Sequence, residues 1–245
     1  MNKLYTDWAT IYDEIYQQLF DYNKDFAFYD SHLQAHNAHK ILELGCGTGH
    51  LALKFYSNGY SYTGMDMSAN MLALAQARVP DAVFIESDIR QFEIAEKFDA
   101  VLMTGRTISY LIKNMDLIQT FECISKVLKS GGILIFDAID AVDLFLNFDK
   151  IKSETLEIKT KNAEYKRNAT NKMNLETGFT WDWSTSYFKK QGNDFEKIGN
   201  DKTTLRAFTK DELAVFLSLF NLKIKEFVDK ESYTWQSFYC MAEML

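Results

Sequence analysis

The sequence predicts an α/β fold built on a mostly parallel sheet, and three observations carry that reading. Short apolar strands alternate with amphipathic helices between Lys40 and Asp137. A glycine loop, Gly45-Cys46-Gly47-Thr48-Gly49, follows the first strand and opens the first helix of that series. The length, 245 residues with 47% hydrophobic and 15% aromatic side chains, suits one α/β core carrying an insertion and would be tight for two full domains.

Residues 7–37 have helical spacing, with Ile11, Ile15, Leu19, Phe26 and Leu33 among the apolar positions, and read as one or two helices. Ile41-Leu42-Glu43-Leu44 is a strand, and Leu51, Ala52, Phe55 and Tyr56 mark a helix ending near Asn58-Gly59. Tyr62 to Asp66 is a second strand, after which Ser68 can cap a helix that Pro80 stops. Val83 to Glu86 and Asp99 to Met103 supply strands three and four. Leu117, Phe121, Ile124 and Leu128 give a longer helix one face, Ser130-Gly131-Gly132 ends it, and Ile133 to Asp137 is a buried fifth strand.

Beyond Asp140 the rhythm changes. Alternating segments over 153–206 predict an antiparallel insertion, with turns at Asn168 to Asn171, Gln191 to Asp194 and Gly199 to Asp201. Thr209 starts a helix through Phe220, and Lys223 to Val228 with Tyr233 to Met244 make a final strand pair. The expected organisation is an N-terminal helical segment (1–38), a ligand-binding core (39–140), the insertion (141–206) and a C-terminal helix and strand pair (207–245).

A formal charge of −7 works against phosphate-backbone binding, which depends on Lys and Arg displacing counterions, so a small-molecule partner is expected and nucleic acid is not. No run of eighteen uncharged apolar residues occurs and Met1 to Asp7 lacks a signal-peptide stretch, which implies a cytoplasmic protein without membrane association. Cys46, Cys123 and Cys240 are too widely spaced for a zinc knuckle, and three is an odd number for a disulfide framework. His32 and His36 share a helix face without a third ligand, so no metal site is expected. An exposed edge of the insertion could pair two copies into a homodimer.

The chemistry concentrates around the glycine loop. Its spacing is Gly-x-Gly-x-Gly with His50 next, not the Gly-x-Gly-x-x-Gly that seats a dinucleotide pyrophosphate. Asp66 ends the second strand, where a carboxylate can accept from both hydroxyls of a ribose. Asp88, after the third strand, can accept from an adenine amino group while the Ile89 amide donates to the ring; a surface-turn aspartate is the alternative reading. Tyr110 and Arg106, on the loop leaving strand four, are the candidate catalytic residues, Tyr110 touching an acceptor and Arg106 an anionic part of it or only a surface carboxylate. Trp181, Trp183, Tyr187 and Trp235 either wall a substrate pocket or pack the insertion onto the sheet.

Taken in order, Ile41 to Gly49, Asp66, Asp88 and Lys129-Ser130-Gly131-Gly132 resemble the motifs of class I S-adenosylmethionine-dependent methyltransferases, over roughly residues 5–140. The resemblance implies a Rossmann-like seven-stranded methyltransferase sheet with an antiparallel last strand, S-adenosylmethionine as cofactor and S-adenosylhomocysteine as product. It places Glu43 and the loop beside the methionine part, Asp66 at the ribose, and Asp88 with Ile89 at the adenine; Leu44, Gly45, Cys46, Gly47, Gly49, Met67, Met71 and Thr104 complete the expected cofactor site.

Within that family Tyr12-Asp13-Glu14-Ile15-Tyr16, Ser109-Tyr110-Leu111 and the insertion are similar to small-molecule N-methyltransferases, including amino-sugar N,N-dimethyltransferases, whose N-terminal tyrosines cover the cofactor. Tyr5, Tyr12 and Tyr16 are the matching candidates, since aromatic faces attract a sulfonium cation, although helical spacing also suits plain core packing. Lys24 could reach the cofactor carboxylate or lie solvated. The implied function is methyl transfer to a small molecule, at an amine nitrogen; a macromolecular acceptor and a non-catalytic binding module are the alternatives.

Overall fold

The computed structural model describes residues 3–232 and 234–245. Helices α1 (Ala9–Tyr16) and α2 (Tyr22–Ala35) come first, and α2 begins where the Asp21 carboxylate accepts the Asn23 and Lys24 amides. The series β1 (Lys40–Leu44), α3 (His50–Ser57), β2 (Ser61–Asp66), α4 (Ala69–Arg78), β3 (Val83–Glu86), β4 (Phe98–Met103), α5 (Asn114–Val127) and β5 (Leu128–Ile139) follows. A short α6 (Ala141–Leu146), capped by Asp140, was not expected from the sequence. The chain then forms β6 (Ser153–Lys159), β7 (Glu164–Met173), β8 (Thr180–Gln191), β9 (Asp194–Arg206), α7 (Lys210–Ser218), β10 (Leu222–Lys230) and β11 (Ser237–Met244).

Seven strands make the main sheet, in the order β10-β11-β5-β4-β1-β2-β3, parallel except that β11 runs against both its neighbours. Successive residues of a strand point to opposite faces, and both faces are covered. Leu42, Val101 and Leu134 pack with Leu117 and Phe121 of α5 and Leu213 of α7. Ile41, Ala100 and Ile133 pack with Tyr29 of α2 and Phe55 of α3. Strand order reverses between β1 and β4, so the loops leaving their C-terminal ends diverge and open a crevice there, the usual ligand position of such sheets.

The insertion is a separate antiparallel sheet, β6-β7-β8-β9. Its hairpin at Gly192 is the expected one, but two expected turns are corrected: Asn168 to Asn171 lies within β7 and Gly199 to Asp201 within β9. Asn171 is held in the ladder because its side chain accepts from the Trp181 indole and donates to the Ile151 carbonyl. Gly199 sits at a register shift in the β8–β9 ladder, where the Trp8 ring packs so closely that a Cβ would collide with it. Likewise α5 stops at Val127, and Ser130 to Gly132 already belong to β5; Gly132 is needed because a Cβ would stand 2.9 Å from the Lys129 carbonyl oxygen. The last strand begins at Ser237, and the expected start at Tyr233 lies outside the described residues.

One buried ionic chain ties three parts of this architecture together. Asp137 of β5 accepts from the Arg106 amide at 3.0 Å and from the Lys230 ammonium at 3.0 Å. Lys230 pairs also with Asp25 of α2 at 3.0 Å, and Tyr239 donates to the same carboxylate at 2.6 Å. Arg106 has φ +62°, a left-handed conformation that costs energy for a residue with a Cβ, and the Asp137 contact holds it. Removing Asp137 leaves the buried Arg106 amide without an acceptor and Lys230 with the Asp25 carboxylate alone. Asp137→Ala should therefore lower the unfolding free energy by about 1–3 kcal/mol, read by urea denaturation; a loss under about 0.5 kcal/mol would show the chain to be dispensable.

Candidate functional site

The glycine loop is shaped by hydrogen bonds at the end of β2. The Met65 carbonyl accepts the Gly45 and Cys46 amides at 2.7 and 2.9 Å, bending the chain away from β1. The Asp66 carboxylate accepts the Gly47 amide at 2.9 Å and the Ser68 amide at 2.9 Å, one on each oxygen. Gly45, Gly47 and Gly49 all have positive φ, at +74°, +54° and +79°. A Cβ on Gly45 would strike Thr107, and one on Gly49 would lie 2.9 Å from the Ala75 Cβ, whereas one on Gly47 meets nothing within 4 Å. Gly47 thus keeps its backbone open to the cavity it lines.

That cavity has a volume of about 1090 Å³ and lies over the crevice, between the loop, the N-terminal segment and the insertion. Of the sequence-expected residues, Glu43, Gly45, Cys46, Gly47, Asp66, Met67, Met71, Asp88, Ile89, Thr104, Tyr5, Tyr12 and Tyr110 line it. Leu44 and Gly49 stand behind its wall, Leu44 in the core and Gly49 against Ala75. Tyr16 and Arg106 line a smaller adjoining cavity. Lys24 lies on the surface, paired with Glu231 at 2.5 Å. Among the described residues, no group of three or more His, Cys, Asp or Glu side chains could hold a metal.

Charge in the cavity is set by burial. Burial pushes the Glu43 carboxyl up to about 7, although Thr104 and Tyr62 donate to it at 2.6 and 2.5 Å and the nearby Asp66 charge pushes further. Burial also raises Asp66, opposed by the amides of Ser68, Gly47 and Met67. Asp88 is lowered instead, chiefly by the Arg90 guanidinium that grips both its oxygens. The Cys46 thiol is raised by burial, so it stays a thiol rather than a nucleophilic thiolate. Tyr5 is also raised by burial and by Tyr110, whose hydroxyl it meets, and remains a neutral phenol.

The residues that sequence reasoning missed hold the N-terminal segment over the loop. Asp13 of α1 accepts from the Thr48 hydroxyl at 2.6 Å, contacts His50 Nε2 at 2.8 Å, and takes a two-oxygen grip from Arg78 at 2.9 and 3.0 Å. Arg78 reaches the Thr48 carbonyl too, and the Ser68 hydroxyl donates to the Tyr5 carbonyl. Tyr22 stacks on the His50 ring, with centroids 4.5 Å apart. The displaced third glycine was visible as His50, but its partner stands 37 residues away and no local signal links them.

Burial alone would raise the Asp13 carboxyl, yet the hydrogen bonds from His50 and Thr48 and the Arg78 charge hold it down at about 2. A folded-state value below the ordinary 3.8 contributes stability above pH 4 that disappears as pH falls toward 2. Asp13→Asn should lose that component: compared with wild type, its urea midpoint should be lower at pH 6 and fall less between pH 5 and pH 3. Equal slopes in the two proteins would show that Asp13 does not fasten the segment.

Residues 41–132 match the family described as a methyltransferase domain. The chain is 33% identical over 138 residues to the putative methyltransferase YqeM of Bacillus subtilis strain 168, covering 55% of each. It is 30% identical over 133 residues to the dTDP-3-amino-3,6-dideoxy-alpha-D-glucopyranose N,N-dimethyltransferase of Streptomyces fradiae, covering 53% of this chain and 52% of that one. The chain spans about half the length of these curated relatives. In three dimensions it is similar to an S-adenosylmethionine-dependent methyltransferase from Clostridium acetobutylicum ATCC 824, with a TM-score of 0.80 at 22% identity over 97% of this chain and 98% of that one. Residues 41–132 are therefore similar to a methyltransferase domain, and the chain shares its fold with the Clostridium acetobutylicum protein.

Proposed function

We propose that this protein transfers a methyl group from S-adenosylmethionine to the nitrogen of a small molecule. The observation that carries the reading is the glycine loop held by Asp66 on the floor of a cavity of about 1090 Å³, with Gly47 presenting bare backbone to the open space. The donor set fits the cofactor: Asp66 has lone pairs left for ribose hydroxyls, the amide of Ile89 lies beside Asp88, and Glu43 can meet an ammonium. When bound, S-adenosylmethionine supplies an electrophilic methyl on a sulfonium sulfur and leaves as S-adenosylhomocysteine.

The protein's task is then positional. Tyr5 and Tyr12 offer aromatic faces to a cation and exclude water, and the walls hold an acceptor lone pair in line with the methyl. The acceptor nitrogen would form its N–C bond at the expense of the donor's S–C bond, whose electron pair would stay with the departing thioether, and would shed its proton to water. The phenol of Tyr5, kept neutral by burial, is no base for that proton. A net charge of −7 supports a small acceptor over a nucleic acid, and the Streptomyces fradiae relative is named for dimethylating an amino sugar.

Calorimetry with S-adenosylmethionine and S-adenosylhomocysteine tests the reading. Both should bind, and Asp66→Ala should weaken binding by about 1.5–3 kcal/mol through loss of charge-assisted hydrogen bonds; absence of binding to wild type would remove the proposal. An ammonium beside Glu43 favours its charged form and lowers its value from about 7. Binding at pH 7 should therefore release up to about half a proton, seen as a heat that varies with the buffer's ionisation enthalpy and is lost in Glu43→Gln.

A further inference from the structure

Behind the Tyr5 and Tyr110 hydroxyl contact lies a second cavity of about 50 Å³. It shares Tyr5, Tyr12, Phe20, Gly105 and Tyr110 with the large one, so these residues border both cavities. Its far wall is made by Arg106, Ser109, Trp183 and Trp235, exposed by 8, 1, 6 and 7%. The two indole N–H groups and the Ser109 hydroxyl are buried without a hydrogen-bond partner. By contrast, Trp181, packed edge-on to Trp235, donates its indole N–H to Asn171 at 3.0 Å. Buried polar groups are normally satisfied, and three together on one small cavity mark a place that something else completes.

The residues of this wall carry donors and a positive charge: two indole N–H groups, a hydroxyl and, over the Trp235 ring at 5.5 Å, the Arg106 guanidinium, which also donates to Ser232 and Thr234. Among the described residues lining it there is no Asp or Glu. A volume of 50 Å³ is about that of two water molecules in the liquid, enough for a three-atom carboxylate but too small for a sugar ring or a phosphate with its substituent. We propose that this cavity binds a carboxylate carried by the methyl acceptor, so that the amine presented to the cofactor side belongs to an amino-carboxylate. This rests on the methyl-transfer reading above, since it names the class of acceptor for that site.

The test is a titration of the full chain, saturated with S-adenosylhomocysteine, with acetate, watching the indole N–H signals in a nitrogen-15 correlation spectrum assigned by Trp183→Phe and Trp235→Phe. The signals of Trp183 and Trp235 should shift downfield and saturate, that of Trp181 should stay, and sodium chloride at equal ionic strength should leave all of them in place. Acetamide should bind at least tenfold more weakly. If the two signals do not move, or all four indoles drift together without saturating, the cavity holds only water and the proposal fails. Because the readout needs no turnover, its failure in a protein that still binds S-adenosylhomocysteine would leave the methyltransferase reading standing.

Discussion

The site depends on the Asp66 carboxylate accepting the Gly47 amide. Parallel pairing sets Leu44 of β1 beside Met65 of β2, so the turn after β1 and the last carboxylate of β2 arrive at the same edge of the sheet. The Met65 carbonyl turns the first half of the loop, Asp66 fixes the middle, and Ala75 of α4 packs where Gly49 has no Cβ. Three neighbouring elements thus agree on one loop shape, and the shape leaves backbone facing the cavity rather than covered by side chains. A carboxylate buried this far is raised toward its neutral form, and the amides that hold it are also what keep it available as an acceptor.

The same loop anchors what lies above it. Thr48 and His50 belong to the loop and the first turn of α3, and both meet Asp13, which Arg78 grips from the end of α4. The N-terminal segment is therefore fastened by charge to the element that would hold the cofactor, and by apolar packing to the insertion, where Leu4, Ile15 and Tyr16 meet Ile158, Tyr165 and Tyr187. Tyr16 reaches the Tyr187 hydroxyl at 3.1 Å, and Arg167 joins the same pair. On the opposite side Asp137 and Lys230 secure the loop of Arg106, so the two cavities are bounded by parts that are each tied to the main sheet.

The sheet and the loop were legible because their signals are local. Apolar runs of five residues, glycines at fixed spacing and a carboxylate ending the next strand are all read within one βα unit. The insertion was legible as alternation but not in its turns: the Asn168 to Asn171 and Gly199 to Asp201 stretches carry turn chemistry, yet cross-strand pairing and the close approach of Trp8 keep them extended. Asp13 sat within a motif that was recognised for its tyrosines, while its bonds to His50 and Arg78 span 37 and 65 positions and leave no trace in spacing. Leu44 followed the motif into the expected site, but strand alternation turns its side chain into the core.

Product analysis tests methyl transfer to a small amine directly. The protein is incubated with S-adenosylmethionine carrying a carbon-13 methyl group and a metabolite extract passed through a filter that removes macromolecules. Mass spectrometry should find a labelled N-methyl compound whose formation stops in Asp66→Ala. Label appearing only when the retained protein and RNA are added back, or in no molecule although the cofactor binds, would contradict it.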